Sequence, residues 1–452
     1  MKTETSTVLK APHDLDASSC IDATVRLSSA KRSRTERRGI HAWHPYYAGY
    51  SEAFVDSAIE LLNVDQNAVI LDPWGGSGTT GVVAARKGIT SISIDVNPVM
   101  ATFAAAKSQC VLDHKNAILE FFAGEELPAL GETAESIGPT KIYDDATASA
   151  IQRVIKSIPR SRQGISAALN VSEIHRAARR HTDFLDPLHA FCMAVVFVTL
   201  RKLTGTGKLT NPTWIRREGG RFKISDEELW LELKIAAIEM ISSLTEFYAE
   251  SQLPANLLSI IGDVRTLPLA ACSVDYVIAS PPYLTRIDYA ISTSPELHLF
   301  GGDTLIHAVR HNTTGAPVIT KNGKEQRAAW GTKCNDLLSA VKAHSAQASS
   351  TYYWKNITQY FMDIDKSLDE IMRVLRSNGS GLLVVQSSYF KEIEIPLGEI
   401  FVEMAELKGF SARIESREII KGHMAHKNKR SNIYKANKVY FEDAIFIHKP
   451  DL

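Results

Sequence analysis

The chain has 452 residues, with 51 basic and 51 acidic side chains, 44% apolar and 23% charged residues. Length and composition point to a globular protein of two to three domain-lengths and exclude a collagen-like or low-complexity chain. Five scattered cysteines with no Cys-x-x-Cys pair argue against a disulfide framework and a thiolate zinc site, and fit a reducing cytoplasm.

Residues 1–40 are polar and lack periodicity, so they read as a flexible N-terminal tail. The opening MKTETSTVLK has no apolar core of a secretory signal. The longest apolar run, Ala190 to Leu200, falls short of the roughly 20 residues of a membrane span. At Ala68–Asp72 an apolar strand meets a Gly-rich turn; a helix over Thr79–Lys87 should stop at Gly88, and Thr90–Asp95 should be the next strand. This order opens a doubly wound α/β fold. Residues 113–257 then read as mostly helix, including a capping box at Ser225 and Glu228. Strands are expected again at 258–261, 275–279, 381–386 and 444–448, and an amphipathic helix at 357–375. Residues 301–350 read as loop-rich.

Charge is unevenly spread along this neutral chain. Residues 113–150 carry eight acids against two bases, and residues 151–223 fourteen bases against four acids. Residues 26–38 and 413–438 are also strongly basic. Such segments can present a polyanion-binding face or be solvated surface.

Two motifs carry the chemistry. Asp72-Pro-Trp-Gly-Gly-Ser-Gly-Thr-Thr80 sits at a strand-to-helix turn and contains Gly76-x-Gly78-x-x-Gly81, with Asp95 nineteen residues after Gly76. Glycines let the backbone approach a nucleoside-bearing cofactor, and the acid can accept from ribose hydroxyls. A carboxylate at the loop suits the zwitterionic methionine end of S-adenosylmethionine and would repel the pyrophosphate of NAD. The second motif, Ser280-Pro-Pro-Tyr283, follows the strand Asp275–Ala279. Prolines hold the loop's carbonyls outward as acceptors. Acceptors at Ser280 Oγ and the Pro281 carbonyl suit an exocyclic amino group, and Tyr283 offers a ring for stacking on a flipped-out base.

Together these motifs resemble S-adenosylmethionine-dependent DNA amino-methyltransferases. The resemblance covers 41–112 and 258–300 firmly and 351–452 loosely. It implies a Rossmann-like methyltransferase sheet in which 41–112 is the cofactor-binding half, 258–300 the catalytic region and 351–452 the remainder of the sheet. The large helical insertion 113–257 is then the candidate target-recognition block, with 301–350 competing. Cofactor contacts are expected at Asp72, Trp74, Gly76, Gly78, Thr79, Asp95, Asp263 and Tyr46. Catalysis is expected at Ser280, Pro281, Pro282 and Tyr283, and nucleic-acid contacts at Arg176, Arg179, Arg180, Arg216 and Arg217; no metal is expected. The Ser-Pro-Pro-Tyr form points to cytosine N4 in double-stranded DNA, in a restriction–modification or phage-defence setting with a partner protein as a candidate. Adenine-N6 methylation, an RNA amino-methyltransferase and a catalytically inactive nucleic-acid-binding module are the alternatives.

Overall fold

The computed structural model describes residues 24–32, 36, 38–44, 49–129, 141–160, 184–205, 221–251, 253, 255–284, 288–319, 328–420 and 438–451. Nine strands are described: β1 (Val69–Asp72), β2 (Thr90–Asp95), β3 (Leu257–Ile261), β4 (Val274–Ala279), β5 (Leu375–Gln386), β6 (Ser388–Phe390), β7 (Ile393–Ile395), β8 (Ser411–Ile419) and β9 (Phe441–His448). Seven form one sheet in the order β3-β2-β1-β4-β5-β9-β8, while β6 and β7 make a separate hairpin. β3, β2, β1, β4 and β5 are mutually parallel, and β9 runs antiparallel to both of its neighbours. The fold is therefore α/β and Rossmann-like, as expected.

Parallel strands buried on both faces require cover on both sides. On one face pack the helices Glu52–Leu61, Thr79–Arg86, Pro98–Ala106, Pro187–Leu203 and Asp226–Phe247, which share a core with Ile70 and Ile278. On the other, Thr332–Ala343, Trp354–Val374 and Leu397–Leu407 pack with Leu71, Val277 and Leu383. All nine residues of Pro98–Ala106 are buried. The insertion is the reason, because Phe197 of Pro187–Leu203 stands 5.8 Å from Phe103. The apolar run Ala190–Leu200 is thus structural cover. Asp226–Phe247 starts as the capping box predicted, with Ser225 Oγ accepting from the Glu228 N–H at 3.1 Å.

Three expectations need correction. The segment 301–350 contains the helices Gly302–Asn312 and Thr332–Ala343. Cys334, Leu337, Leu338 and Val341 fall on one helical face and are buried, a period masked by the polar residues between them. Residues 30–32, expected within a flexible tail, are part of the folded body, since Lys31 bridges Tyr50 and both Ala30 and Arg32 are buried. The last strand begins at Phe441, and β8 and the β6–β7 hairpin were not anticipated.

Gly78 precedes Thr79–Arg86 at φ +85°, and a Cβ there would lie 2.9 Å from Ala104 Cβ and 3.0 Å from Ala104 Cα. Gly205 has a similar φ of +67° with nothing within 4 Å. In denaturant melts, Gly78→Ala should lose about 2–4 kcal/mol, backbone strain plus overlap, and Gly205→Ala only about 1–2 kcal/mol. Equal losses would show that the helix Pro98–Ala106 yields to the added methyl.

Candidate active site

In an open α/β sheet a ligand binds at the carboxyl ends of strands where the strand order reverses. Here that point is β1, with β2 on one side and β4 on the other. The glycine loop leaves the end of β1 and Ser280 leaves the end of β4, so two motifs about two hundred residues apart open onto one cavity. Its wall includes Trp74 to Ser77, Thr79, Asp95, Asp263 and all of Ser280 to Tyr283.

At the end of β2, Asp95 organises the loop. Its Oδ2 accepts from the Gly76 N–H at 2.9 Å and its Oδ1 from the Asn97 N–H at 2.8 Å. Gly76 takes φ +50° to present that N–H. Burial lifts the Asp95 carboxyl to about 6, against the pull of those two N–H groups. Asp263 also faces the cavity, held by Arg265, whose Nε donates to Asp263 Oδ1 at 2.9 Å and whose Nη1 donates to Asp363 Oδ1 at 2.9 Å.

Asp72 does not reach the cavity. It is 2% exposed, and its Oδ2 accepts from Thr80 Oγ1 at 2.6 Å and Tyr50 OH at 3.3 Å. Its Oδ1 accepts from the Trp74 N–H at 3.2 Å. Burial raises its carboxyl to about 7. A carboxylate so enclosed ties the loop to the sheet and is not placed to meet a ligand's ammonium. Gly78 likewise serves packing against Ala104 and does not line the cavity.

Ser280, Pro282 and Tyr283 of the second motif are each tied to a different part of the fold. Ser280 Oγ donates to the Val384 carbonyl of β5 at 3.3 Å. The Pro282 carbonyl accepts from Tyr360 OH at 3.0 Å. Among the described residues no donor meets the Pro281 carbonyl. Tyr283 OH donates to Glu442 Oε1 at 3.2 Å, and burial raises the Glu442 carboxyl to about 7. Burial, then the charge of Glu442, pushes the Tyr283 phenol up.

Trp74, Gly76, Thr79, Asp95, Asp263 and Ser280 to Tyr283 are thus brought together. Tyr46, Arg176, Arg179, Arg180, Arg216 and Arg217 lie outside the described residues. Sequence reasoning missed Tyr50, Tyr289, Met100 and the turn Asn312–Thr314, which also line the cavity, and Glu442 behind it. Asn97, also in the wall, sits in the Asp95–Pro98 string that resembles the family's second motif. Nothing local marks Glu442, which meets Tyr283 only through tertiary pairing.

Residues 19–106 match the family model described as DNA methylase, of the N6/N4 type. That match covers the first glycine-loop motif and the strand Thr90–Asp95. A 107-residue stretch is 36% identical to the Type II methyltransferase M.BsoBI of Geobacillus stearothermophilus, covering 24% of this chain and 19% of that protein. The chain thus matches about a fifth of the length of that curated relative. Among solved structures, YcgJ of Bacillus subtilis is 8% identical with a TM-score of 0.29, covering 88% of this chain and 97% of that one. The rRNA methyltransferase AviRa of Streptomyces viridochromogenes is 11% identical with a TM-score of 0.28, covering 96% and 94%. The fold assignment rests on the strand order, not on these two likenesses.

The family implies S-adenosylmethionine as methyl donor, and the cavity fits it. A glycine-rich wall admits close approach, Asp95 has the position to accept from ribose hydroxyls, and Asp263 offers a further acceptor.

A carboxylate accepts most strongly when ionised, and in the empty protein Asp95 is ionised only above about pH 6. Its pKa is raised, so a ligand that donates to it must draw off a proton at lower pH. By calorimetry, affinity for S-adenosylhomocysteine should be flat from about a unit above pH 6, bend through pH 6, and fall below it, approaching tenfold per pH unit. Asp95→Asn should bind more weakly and without that slope. An unchanged slope in the variant would remove Asp95 from the ligand's contacts.

Proposed function

We propose that the protein transfers a methyl group from S-adenosylmethionine to the exocyclic N4 of cytosine in double-stranded DNA. The observation that carries this reading is the setting of Ser280, which shares one cavity with the glycine loop while its hydroxyl stands within donating distance of the Val384 carbonyl. When it donates there, the oxygen keeps lone pairs that can accept from a ligand on the cavity side. An exocyclic amine is a donor with a conjugated, weakly nucleophilic lone pair. Holding its hydrogens on Ser280 Oγ and the Pro281 carbonyl favours a tetrahedral nitrogen with the lone pair turned toward the donor.

Bound S-adenosylmethionine supplies the sulfonium-activated methyl group. The chain's own work is positioning and electrostatics. The Tyr283 hydroxyl is anchored on Glu442, which fixes the plane of the ring and leaves a face for stacking on an extruded base. Tyr360 holds the Pro282 carbonyl and keeps the loop from collapsing into the space the base would take. DNA is supported by the description of the matched family, and a restriction–modification setting by the Type II relative. The basic stretch within 151–223 remains our candidate for the duplex, now beside helices that belong to the main core.

The test incubates purified protein with labelled S-adenosylmethionine and separate DNA and RNA pools, followed by nucleoside mass spectrometry. Label in N4-methylcytosine from DNA is the expected outcome. N6-methyladenine would keep the chemistry and change the base, label in RNA alone would change the substrate, and no transfer to either pool would overturn the reading. Ser280→Ala should lower kcat by about 10²-fold with cofactor affinity intact, as for loss of one transition-state hydrogen bond. Tyr283→Ala should in addition raise the KM for DNA. Wild-type rates in both variants would make the loop structural.

A further inference from the structure

Among the described residues two carboxylates line the cavity, Asp95 at the end of β2 and Asp263 just past the end of β3. They are close neighbours. Asp95 pairs with Ile261 across the two strands, and the Gly262 N–H donates to the Asp95 carbonyl at 3.0 Å. Their supports differ. Asp95 accepts from backbone N–H groups, whereas Asp263 is gripped by an arginine. The backbone N–H and the Nε of Arg265 each donate to Asp263 Oδ1 at 2.9 Å, and Nε and Nη2 both reach Oδ2. A guanidinium fork on both oxygens fixes the plane of a carboxylate as well as pairing its charge.

The same guanidinium has two further partners. Its Nη1 donates to Asp363 Oδ1 at 2.9 Å, on the helix Trp354–Val374, where Asp363 is 2% exposed. Burial raises the Asp363 carboxyl, and the charge of Arg265 opposes that rise. Its Nη2 donates to the Asn312 carbonyl at 3.1 Å and to Asn312 Oδ1 at 3.3 Å. That carbonyl ends the helix Gly302–Asn312, where a cation is favoured. Asn312, Thr313 and Thr314 line the cavity, so one side chain outside the wall fixes both Asp263 and the turn within it.

Strand order says which part of the ligand meets this corner. Ser280 leaves β4 on one side of β1, and Asp263 follows β3 two strands away on the other, with Asp95 between them. With the ribose at Asp95 and the sulfur turned toward Ser280, the base falls toward Asp263, because the ribose separates base from sulfur. The N–H groups of an adenine base are those of its exocyclic amine, and a fixed carboxylate is an acceptor for them. We propose that Arg265 is a positioning residue for recognition of that amine, holding Asp263 as the acceptor and the turn Asn312–Thr314 beside it. The inference rests on the reading of the cavity as an S-adenosylmethionine site.

The test compares S-adenosylhomocysteine with S-inosylhomocysteine, in which a carbonyl oxygen replaces the amine. Calorimetric titration of the full chain should show about tenfold to hundredfold weaker binding of the inosyl ligand, the range for one hydrogen bond to a charged group. Arg265→Met is made together with Asp363→Asn, so that no buried carboxylate loses its partner. It should cut that ratio at least threefold, chiefly by weakening S-adenosylhomocysteine. Simple loosening of the fold would weaken both ligands alike and leave the ratio unchanged. Arg265→Lys keeps the charge without the fork and should give an intermediate ratio. Should the double variant fail to fold by circular dichroism, Arg265→Lys decides. A wild-type ratio near one, or a full ratio in the deciding variant, would overturn the proposal while leaving the cofactor reading intact. Failure of the wild type to bind either ligand would instead overturn the cofactor reading.

Discussion

β1 pairs in parallel with β4 through Ile70 with Tyr276 and Leu71 with Val277, and the site depends on that pairing. It sets the exits of two loops side by side although more than two hundred residues separate them. Parallel neighbours need a crossover between them, and here the crossovers carry the whole helical insertion and β2 and β3 as well. The pairing is locked at its top by a buried knot. Thr80 Oγ1 donates to Asp72 Oδ2 at 2.6 Å and also lies 3.2 Å from the Ile278 carbonyl of β4, while Tyr50 joins from the N-terminal segment. Asp72 thus acts on the site at one remove, by fixing where the glycine loop starts.

The same knot explains why the N-terminal segment is part of the body. Tyr50 bridges to Lys31, and Ser51 Oγ donates to the Ser29 carbonyl at 2.6 Å. Once residues 29–32 are pinned there, Arg32 can only be buried beside Thr79. A polar, charged run with no periodicity therefore folds because its partners are supplied by distant elements. Nothing in the run itself announces it.

That separates what was legible in the chain from what was not. The fold class was legible because β1, the glycine turn, its helix and β2 are contiguous, so periodicity and turn chemistry suffice. The two ligand-facing motifs were legible because loop chemistry is local: Gly76, Asp95 and Ser280 to Tyr283 line the cavity as their residue types suggest. Asp72 was misassigned because a carboxylate's neighbours, not its place in a motif, decide whether it faces ligand or core. Glu442, Tyr50 and Lys107 were invisible for the converse reason. Each acquires its place only from a tertiary contact, at sequence separations of 159, 22 and 30 residues. The helices within 301–350 were missed because their apolar stripes are short and interrupted by polar residues.

The distribution of charge around the cavity gives the last step. Acids sit at the ends of β2 and β3, and Ser280 and Pro281 at the end of β4 line the same cavity. A zwitterionic nucleoside ligand can place its hydroxyl and amino donors on those acids in one orientation, with its carboxylate turned away from them. Reversed, it would set its carboxylate against Asp95 and Asp263. That polarity carries the middle of the ligand past the end of β4, where the Ser280 loop is. On the proposed reading the acids orient the cofactor and the strand order supplies the place for the reaction, so Ser280 and Tyr283 are left to act on the acceptor base.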